Sequence, residues 1–236
     1  MDRPPRIVVT GSASGLGAAI ALGLEARGLD VVGLDRTNAG PAQRQVVDVT
    51  DPDAVAAAFE TIGDPLDGIV VSAGVQMHGD DGPVAEVSLE TWQRTIDVNL
   101  TGAWLCLKAA VPHLLTRETS SVVLIGSPTA VTMCGAGYAA YAASKAGMMA
   151  LARVMAADHA AEGLRANVVV PGTMRTPLIE PLLADETTRA NLLAGTPVGR
   201  LGEPDDLVGL VAWLLSSESR FATGASYAVD GGLTAR

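Results

Sequence analysis

The sequence predicts an α/β fold, a doubly wound parallel sheet of about seven strands with helices on both faces of a single domain, and three observations predict it. Short β-branched runs alternate with longer amphipathic segments along the chain. A glycine-rich turn joins the first strand to the first helix. The composition, 48% hydrophobic and 18% charged over 236 residues, suits one large core, so residues 1–236 are expected to fold as a unit.

The first third reads as a βαβ unit: a strand at 7–10, a helix at 16–27 and a strand at 31–35. Leu16, Ile20 and Leu24 recur every fourth residue and so share one helical face, and Gly28 supplies the stop. Further strands are expected at 45–47, 69–72, 122–125, 166–170 and 226–229, most of them β-branched and bounded by turn residues. The clearest helices between them are 91–115 and 141–162, with another at 205–215 after Pro204. The segment 36–44 is short for a helix, and the helix after Pro52 is trimmed.

Composition also excludes. A formal charge of -10, with basic residues scattered singly, disfavours nucleic acid and anionic membrane as partners. Residues 1–6 lead into only a short apolar strand, with neither a signal-peptide core nor a membrane-spanning run, so a cytoplasmic protein is expected. Cys106 and Cys134 stand far apart, as do His78, His113 and His159, so neither a disulfide nor a metal site is expected.

Thr10-Gly11-Ser12-Ala13-Ser14-Gly15-Leu16-Gly17 lies between strand and helix, where backbone N–H groups and the positive helix end can hold a pyrophosphate. Contacts are expected from Gly11, Ser14, Gly15, Leu16 and Gly17. A side chain at Gly11 would obstruct the turn, one at Gly15 would hold phosphates away, and one at Gly17 would push the helix off the sheet. Asp35 ends the second strand about twenty residues on, where its carboxylate can accept hydrogen bonds from the adenosine ribose and repel a 2′-phosphate. NAD is therefore favoured over NADP, although the neighbouring Arg36 could pair with that phosphate.

Tyr141-Ala142-Ala143-Ser144-Lys145 sets a phenol and an ammonium one helical turn apart. A free phenol titrates near 10, and a nearby ammonium with a positive nicotinamide would favour the phenolate, making Tyr141 a candidate acid/base. Ser127 follows an apolar strand and could hydrogen-bond a substrate oxygen at the strand's carboxyl end. Asn99 could hold a water near Lys145 and link the site to solvent.

Together these motifs closely resemble the short-chain dehydrogenase/reductase family, whose members share a Rossmann-like fold. The resemblance covers nearly the whole chain. It maps a catalytic tetrad onto Asn99, Ser127, Tyr141 and Lys145, an adenine-contacting pair onto Asp48-Val49, and the N-A-G turn onto Ser72-Ala73-Gly74, with Ala73 and Gly74 beside the cofactor. In the stretch Asn167 to Thr176 it implies nicotinamide contacts from Pro171, Gly172, Met174 and Thr176. Asp230-Gly231-Gly232 resembles the closing motif. The chain departs from the family pattern at Ser72, where asparagine is usual, and at Ser127, which stands fourteen positions before Tyr141, one more than is commonest, with Pro128 in the usual place.

The resemblance implies an NAD(H)-dependent oxidoreductase moving hydride between nicotinamide and a secondary alcohol or ketone, assembled as a homo-oligomer, a tetramer or dimer. Alternatives are an NADP(H)-dependent reductase of 3-oxoacyl thioesters or other carbonyls, and a dinucleotide-sensing protein without chemistry. Residues 176–200 are expected to form a lid in which Leu178, Ile179, Leu182 and Leu183 supply either an apolar wall or a core-facing helix. Gln76, Met77, Thr129 and Met133 are candidate lining residues, and Arg175 is the one candidate carboxylate clamp.

Overall fold

The computed structural model describes residues 3–38, 44–132 and 137–235. Among them, seven parallel strands form one sheet in the order β3-β2-β1-β4-β5-β6-β7. Branched residues favour the extended backbone of β1 (Arg6–Thr10), β2 (Asp30–Asp35) and β4 (Gly68–Val71). They do the same in β5 (Ser120–Ile125), β6 (Leu164–Pro171) and β7 (Ser226–Val229). The edge strand β3 is Arg44–Val46, one residue earlier than its pattern suggested.

Side chains alternate across this sheet, and the two faces carry separate cores. Val8, Ile69, Val71, Val122, Leu124, Val168 and Val170 pack under α2 (Pro52–Ile62), α4 (Gly102–Leu114) and α5 (Ala139–His159). Ile7, Val9, Val70, Val123, Ile125 and Val169 point the other way, against α1 (Gly15–Glu25) and α8 (Val208–Leu215). Sheet residues are thus apolar on consecutive positions because both faces are covered.

The expected helix at 91–115 is not continuous. It is α3 (Leu89–Ile96), a wide π turn at Asp97–Thr101, and then α4. The π turn accommodates an extra residue and turns Asn99 inward, where it is fully buried. Gly102 follows because a Cβ there would approach Val49 Cγ2 to 2.8 Å. The predicted helix at 205–215 begins as a 3-10 turn, Pro204–Leu207, before α8, and α5 ends in a 3-10 turn, Ala160–Glu162, closed by left-handed Gly163 at φ 86°. Residues 36–38, described after β2, are not helical, and the remainder of that connection, with Met133 and Cys134, lies outside the described residues.

Two short helices, α6 (Glu180–Leu183) and α7 (Glu186–Ala194), form the segment after β6. Among the described residues, no helix is long and apolar enough to cross a membrane.

Phe59, 1% exposed, anchors α2 against the sheet. Phe59→Ala should lower stability by about 3–5 kcal/mol in urea denaturation, because α2 has no larger buried side chain. A loss below about 1 kcal/mol would show that this core collapses freely around the deletion.

Candidate active site

Strand order reverses direction between β1 and β4, and the loops leaving these two strands part to open a crevice at the carboxyl ends. The crevice holds about 570 Å³ and runs from the β1–α1 turn to Leu192 and Leu233. It collects Gly11, Ser14, Gly15, Leu16, Gly17, Asp35, Arg36, Asp48 and Val49 at one end. Ala73, Gly74, Ser127, Tyr141, Lys145, Pro171, Gly172, Met174 and Thr176 line its middle and far part. Asn99 stands behind this wall: a Cβ placed on Gly74 would lie 3.2 Å from Asn99 Oδ1 and 3.6 Å from Lys145 Nζ.

The glycines have distinct reasons. Gly11, at φ 69°, leaves room for β4, since a Cβ would sit 2.7 Å from Ala73 Cα. Gly15, at φ 56°, has only Thr176 within reach, at 3.7 Å, so its backbone is open to the crevice. A Cβ on Gly17, in the first turn of α1, would strike the carbonyl of Gly11 and come within 3.2 Å of the carbonyl oxygen of Thr10 at the end of β1, so a side chain here would push the helix off the strand end. Thr10 Oγ1 accepts from the N–H groups of both Ser72 (3.0 Å) and Ala73 (3.1 Å). The hydroxyl at Thr10 thus secures the β4 exit where the usual asparagine is missing.

Asp35 is held in place: its Oδ2 accepts from Ala13 N at 3.0 Å, and its Oδ1 from Thr37 N and Oγ1, both at 3.1 Å. Asp48 Oδ1 accepts from Thr50 N and Oγ1, which, with Arg94 and Arg36 nearby, lowers its pKa.

At the far part, Ser127 caps a 3-10 turn, Pro128–Ala130, and its Oγ accepts from Thr129 Oγ1 at 2.9 Å and Thr129 N at 3.3 Å. The Ser127 side chain faces the Tyr141 phenol closely enough to favour its ionised form, so the extra residue before Tyr141 is absorbed by the loop. Burial raises the phenol to about 12, with that contact opposing the shift. Burial likewise lowers Lys145, only 4% exposed, to about 8. Its Nζ donates to Ile125 O at 2.9 Å and lies 5.7 Å from the Tyr141 ring centre. Desolvation, and not the ammonium expected from the sequence to favour phenolate, dominates the tyrosine in the protein alone.

The Asn99 side chain is held by three hydrogen bonds. Its Oδ1 accepts from Val75 N at 2.7 Å, and its Nδ2 donates to Val75 O at 2.9 Å and Ser144 Oγ at 3.1 Å. Its side-chain polar atoms serve as a clamp between the β4 exit and α5.

A family model described as enoyl-(acyl carrier protein) reductase matches residues 11–234. The chain belongs to the short-chain dehydrogenase/reductase family. It is 37% identical to cis-4-hydroxycyclohexanecarboxylate dehydrogenase of Sinomonas cyclohexanicum, over 97% of this chain and 96% of that one. It is 35% identical to 3beta-hydroxysteroid dehydrogenase 1 of Eggerthella lenta, over 97% and 93%. A solved chain from Beutenbergia cavernae, described as an NAD(P)-dependent gluconate 5-dehydrogenase with NADP bound at low occupancy, superposes with a TM-score of 0.91 at 32% identity, covering 98% and 97%. As a short-chain dehydrogenase/reductase, the protein is an oxidoreductase that works on a CH–OH or carbonyl group with a nicotinamide dinucleotide.

Within this family site, of the expected lid residues Leu178, Ile179 and Leu182 face the crevice, as do Gln76 and Thr129 from other loops, whereas Leu183 and Met77 do not. Arg175 is turned away, its Nε on Glu203 Oε1 at 3.0 Å, and is not the carboxylate clamp that the sequence offered.

Two residues were missed. Arg94 reaches the crevice from α3, and no sequence pattern signals that packing. Asp81 caps α5 from a loop some sixty residues away: its Oδ1 accepts from Ala140 N at 3.1 Å, and its Oδ2 from Tyr141 N at 2.9 Å. A signal existed. The first turn of α5 has Tyr138 at its cap position, with no side-chain capping bond of its own.

Asp81→Ala should therefore destabilise the fold by about 1–2 kcal/mol, read by urea denaturation, while Asp81→Asn, which keeps an acceptor, should lose less. An alanine variant as stable as the parent would show that α5 needs no cap.

Proposed function

We propose that the protein oxidises a secondary alcohol, or reduces the corresponding ketone, with NAD(H), Tyr141 acting as acid/base. The observation that carries this reading is the meeting of the Ser127 and Tyr141 hydroxyls, with buried Lys145 one turn along α5, in a crevice continuous with the glycine-rich turn. The residues present fit a dinucleotide: Gly15 leaves its backbone open, the Ser14 hydroxyl is not used by the helix it precedes, and Asp35 is oriented at the end of β2.

When bound, the nicotinamide accepts or supplies the hydride, and its oxidised form adds positive charge. The chain does the rest. The N–H groups of the β1–α1 turn and the α1 N-terminus receive the pyrophosphate, with Asp48 and Val49 at the adenine edge. Pro171, Gly172, Met174 and Thr176 hold the carboxamide side, and Ala73 and Gly74 the floor. Ser127 and Tyr141 hold the substrate oxygen. Tyr141 takes the alcohol proton in oxidation and returns it in reduction, and Lys145 fixes the ribose and adds its charge in favour of the phenolate. Asn99 serves as a positioning residue through Val75 and Ser144. Residues 176–200 act as a lid. Trp92 at 38% and Trp104 at 45% exposure, on α3 and α4, support a homo-oligomer.

NAD is preferred because a 2′-phosphate would meet the Asp35 carboxylate, although Arg36 and Arg94 near Asp48 soften that field. Replacing Asp35 with Ser should raise kcat/KM for NADP relative to NAD by about tenfold or more. A parent enzyme that already prefers NADP would overturn the assignment of NAD.

Tyr141→Phe should cut turnover by at least about 10²-fold while leaving NADH binding, followed by fluorescence, nearly unchanged. Full activity in that variant would refute the acid/base role. Tight NADH binding by the parent, with no turnover across a broad alcohol and ketone panel, would instead favour a dinucleotide-sensing protein.

A phenol near 12 is protonated throughout the neutral range, so ketone reduction should vary little between pH 6 and 7, below the value of about 8 at which Lys145 loses its charge. Alcohol oxidation draws on the scarce phenolate and should rise over the same interval, by up to about tenfold per pH unit. Parallel pH–rate profiles in the two directions would contradict this.

A further inference from the structure

The crevice is divided by charge. Its cations other than Lys145 are Arg36 and Arg94, both set beside Asp48 at the end served by β2 and β3. The half beyond Tyr141, bounded by Pro128, Leu178, Ile179, Leu182, Leu192 and Leu233, has no Lys, Arg, His, Asp or Glu among its described lining residues. Charged side chains and histidines in the flanking segments are not among the lining residues. Arg175 pairs with Glu203, Arg200 with Asp206 at 2.7 Å, and His78 lies edge-on to Tyr138, its ring centre 6.3 Å away. Residues 133–136 are Met-Cys-Gly-Ala and carry no charge, while Arg236, three positions beyond Leu233, lies outside the described residues.

Polar groups are few as well. Among the described lining residues away from the glycine turn and Asp48, the side-chain hydrogen-bonding groups besides Ser127, Tyr141 and Lys145 are Gln76, Thr129, Tyr138, Thr173 and Thr176, and the Thr129 hydroxyl already donates to Ser127. A carboxylate or phosphate enclosed here would lose water without gaining a cation, and a polyol would leave hydroxyls unpaired. Aliphatic carbon, in contrast, would bury against the leucine walls.

We infer that the substrate is a neutral, largely aliphatic secondary alcohol or its ketone, and that hydroxy acids, phosphorylated compounds and sugars are excluded. This deepens the reading of the site under Proposed function and rests on it.

The test compares 4-hydroxycyclohexanecarboxylate with its methyl ester, two compounds of one ring skeleton that differ in charge and by one methyl group, alongside cyclohexanol and a polyol such as sorbitol, all with NAD. The ester and cyclohexanol should exceed the acid and the polyol in kcat/KM by at least about tenfold. Leu178→Arg, at a rim position 39% exposed, should narrow the ester-to-acid ratio by a similar factor. Turnover of the acid or the polyol as fast as the neutral compounds would overturn the inference and leave the oxidoreductase reading standing.

Thermal shifts of the NADH complex with cyclohexanone and with 4-oxocyclohexanecarboxylate give a readout that needs no turnover. A larger shift with cyclohexanone supports the neutral pocket even if no compound in the panel reacts, in which case the catalytic reading is the one that fails. An equal or larger shift with the keto acid overturns the inference.

Discussion

The site depends on keeping an ammonium group out of water. Lys145 is 4% exposed, and its Nζ has one strong acceptor, the carbonyl of Ile125 at the end of β5. A buried cation with one good partner is held at a cost, visible in its pKa of about 8. That cost requires surroundings that cannot rearrange. The strand that supplies the carbonyl is fully buried, with neighbours paired on both sides, and α5 spans 21 residues across the same face. The position of the ammonium is therefore set by sheet register and helix docking together, and the phenol one turn earlier is set with it.

Docking of α5 is enforced at three places by groups distant in sequence. Asp81 holds the first N–H groups, Asn99 reaches Ser144 from the π turn, and Gly147 lets Leu100 approach so closely that a Cβ there would lie 2.7 Å from Leu100 Cδ2. The π turn explains why Asn99 and Leu100 can both face α5: the wider turn adds a residue and turns neighbouring side chains onto the same neighbour. A regular helix through 97–101 would rotate one of them away. Local irregularity is thus spent on fixing the reactive helix, where rigidity matters most to the chemistry.

Much of this was legible in the sequence, for identifiable reasons. The strands could be read because both sheet faces are covered, which forces short, uninterrupted apolar runs such as Val122 to Ile125. The glycine turn, Asp35 and the Tyr141-to-Lys145 spacing could be read because each acts over a few residues, within reach of backbone geometry. What escaped was tertiary. Nothing local tells that residues 97–101 widen, since α3 and α4 individually follow ordinary helical patterning, and nothing near Asp81 shows that its carboxylate belongs to a helix beginning at Ala139. Arg175 stood near the right place in the chain but faces Glu203, because its strand exit turns the side chain outward.

The same geometry accounts for the unequal ends of the crevice. Strands β1 to β3 end in loops that carry Asp35, Arg36 and Asp48, and α3 adds Arg94, so this end is rich in groups able to sort one charged ligand from another. Beyond β5 the walls come from the segment after β6, where Leu178, Ile179, Leu182 and Leu192 turn inward while Glu180, Glu186 and Arg189 remain exposed. In the proposed role of a lid, such an amphipathic segment would gain stability by closing on apolar surface, and closure would strengthen the electrostatics beneath it by excluding water. Because Lys145 and Tyr141 are already desolvated by the protein, a neutral apolar ligand completes that exclusion without adding a charge that the walls cannot meet. The proposed discrimination by charge at one end and by its absence at the other then follows from one arrangement of strand ends.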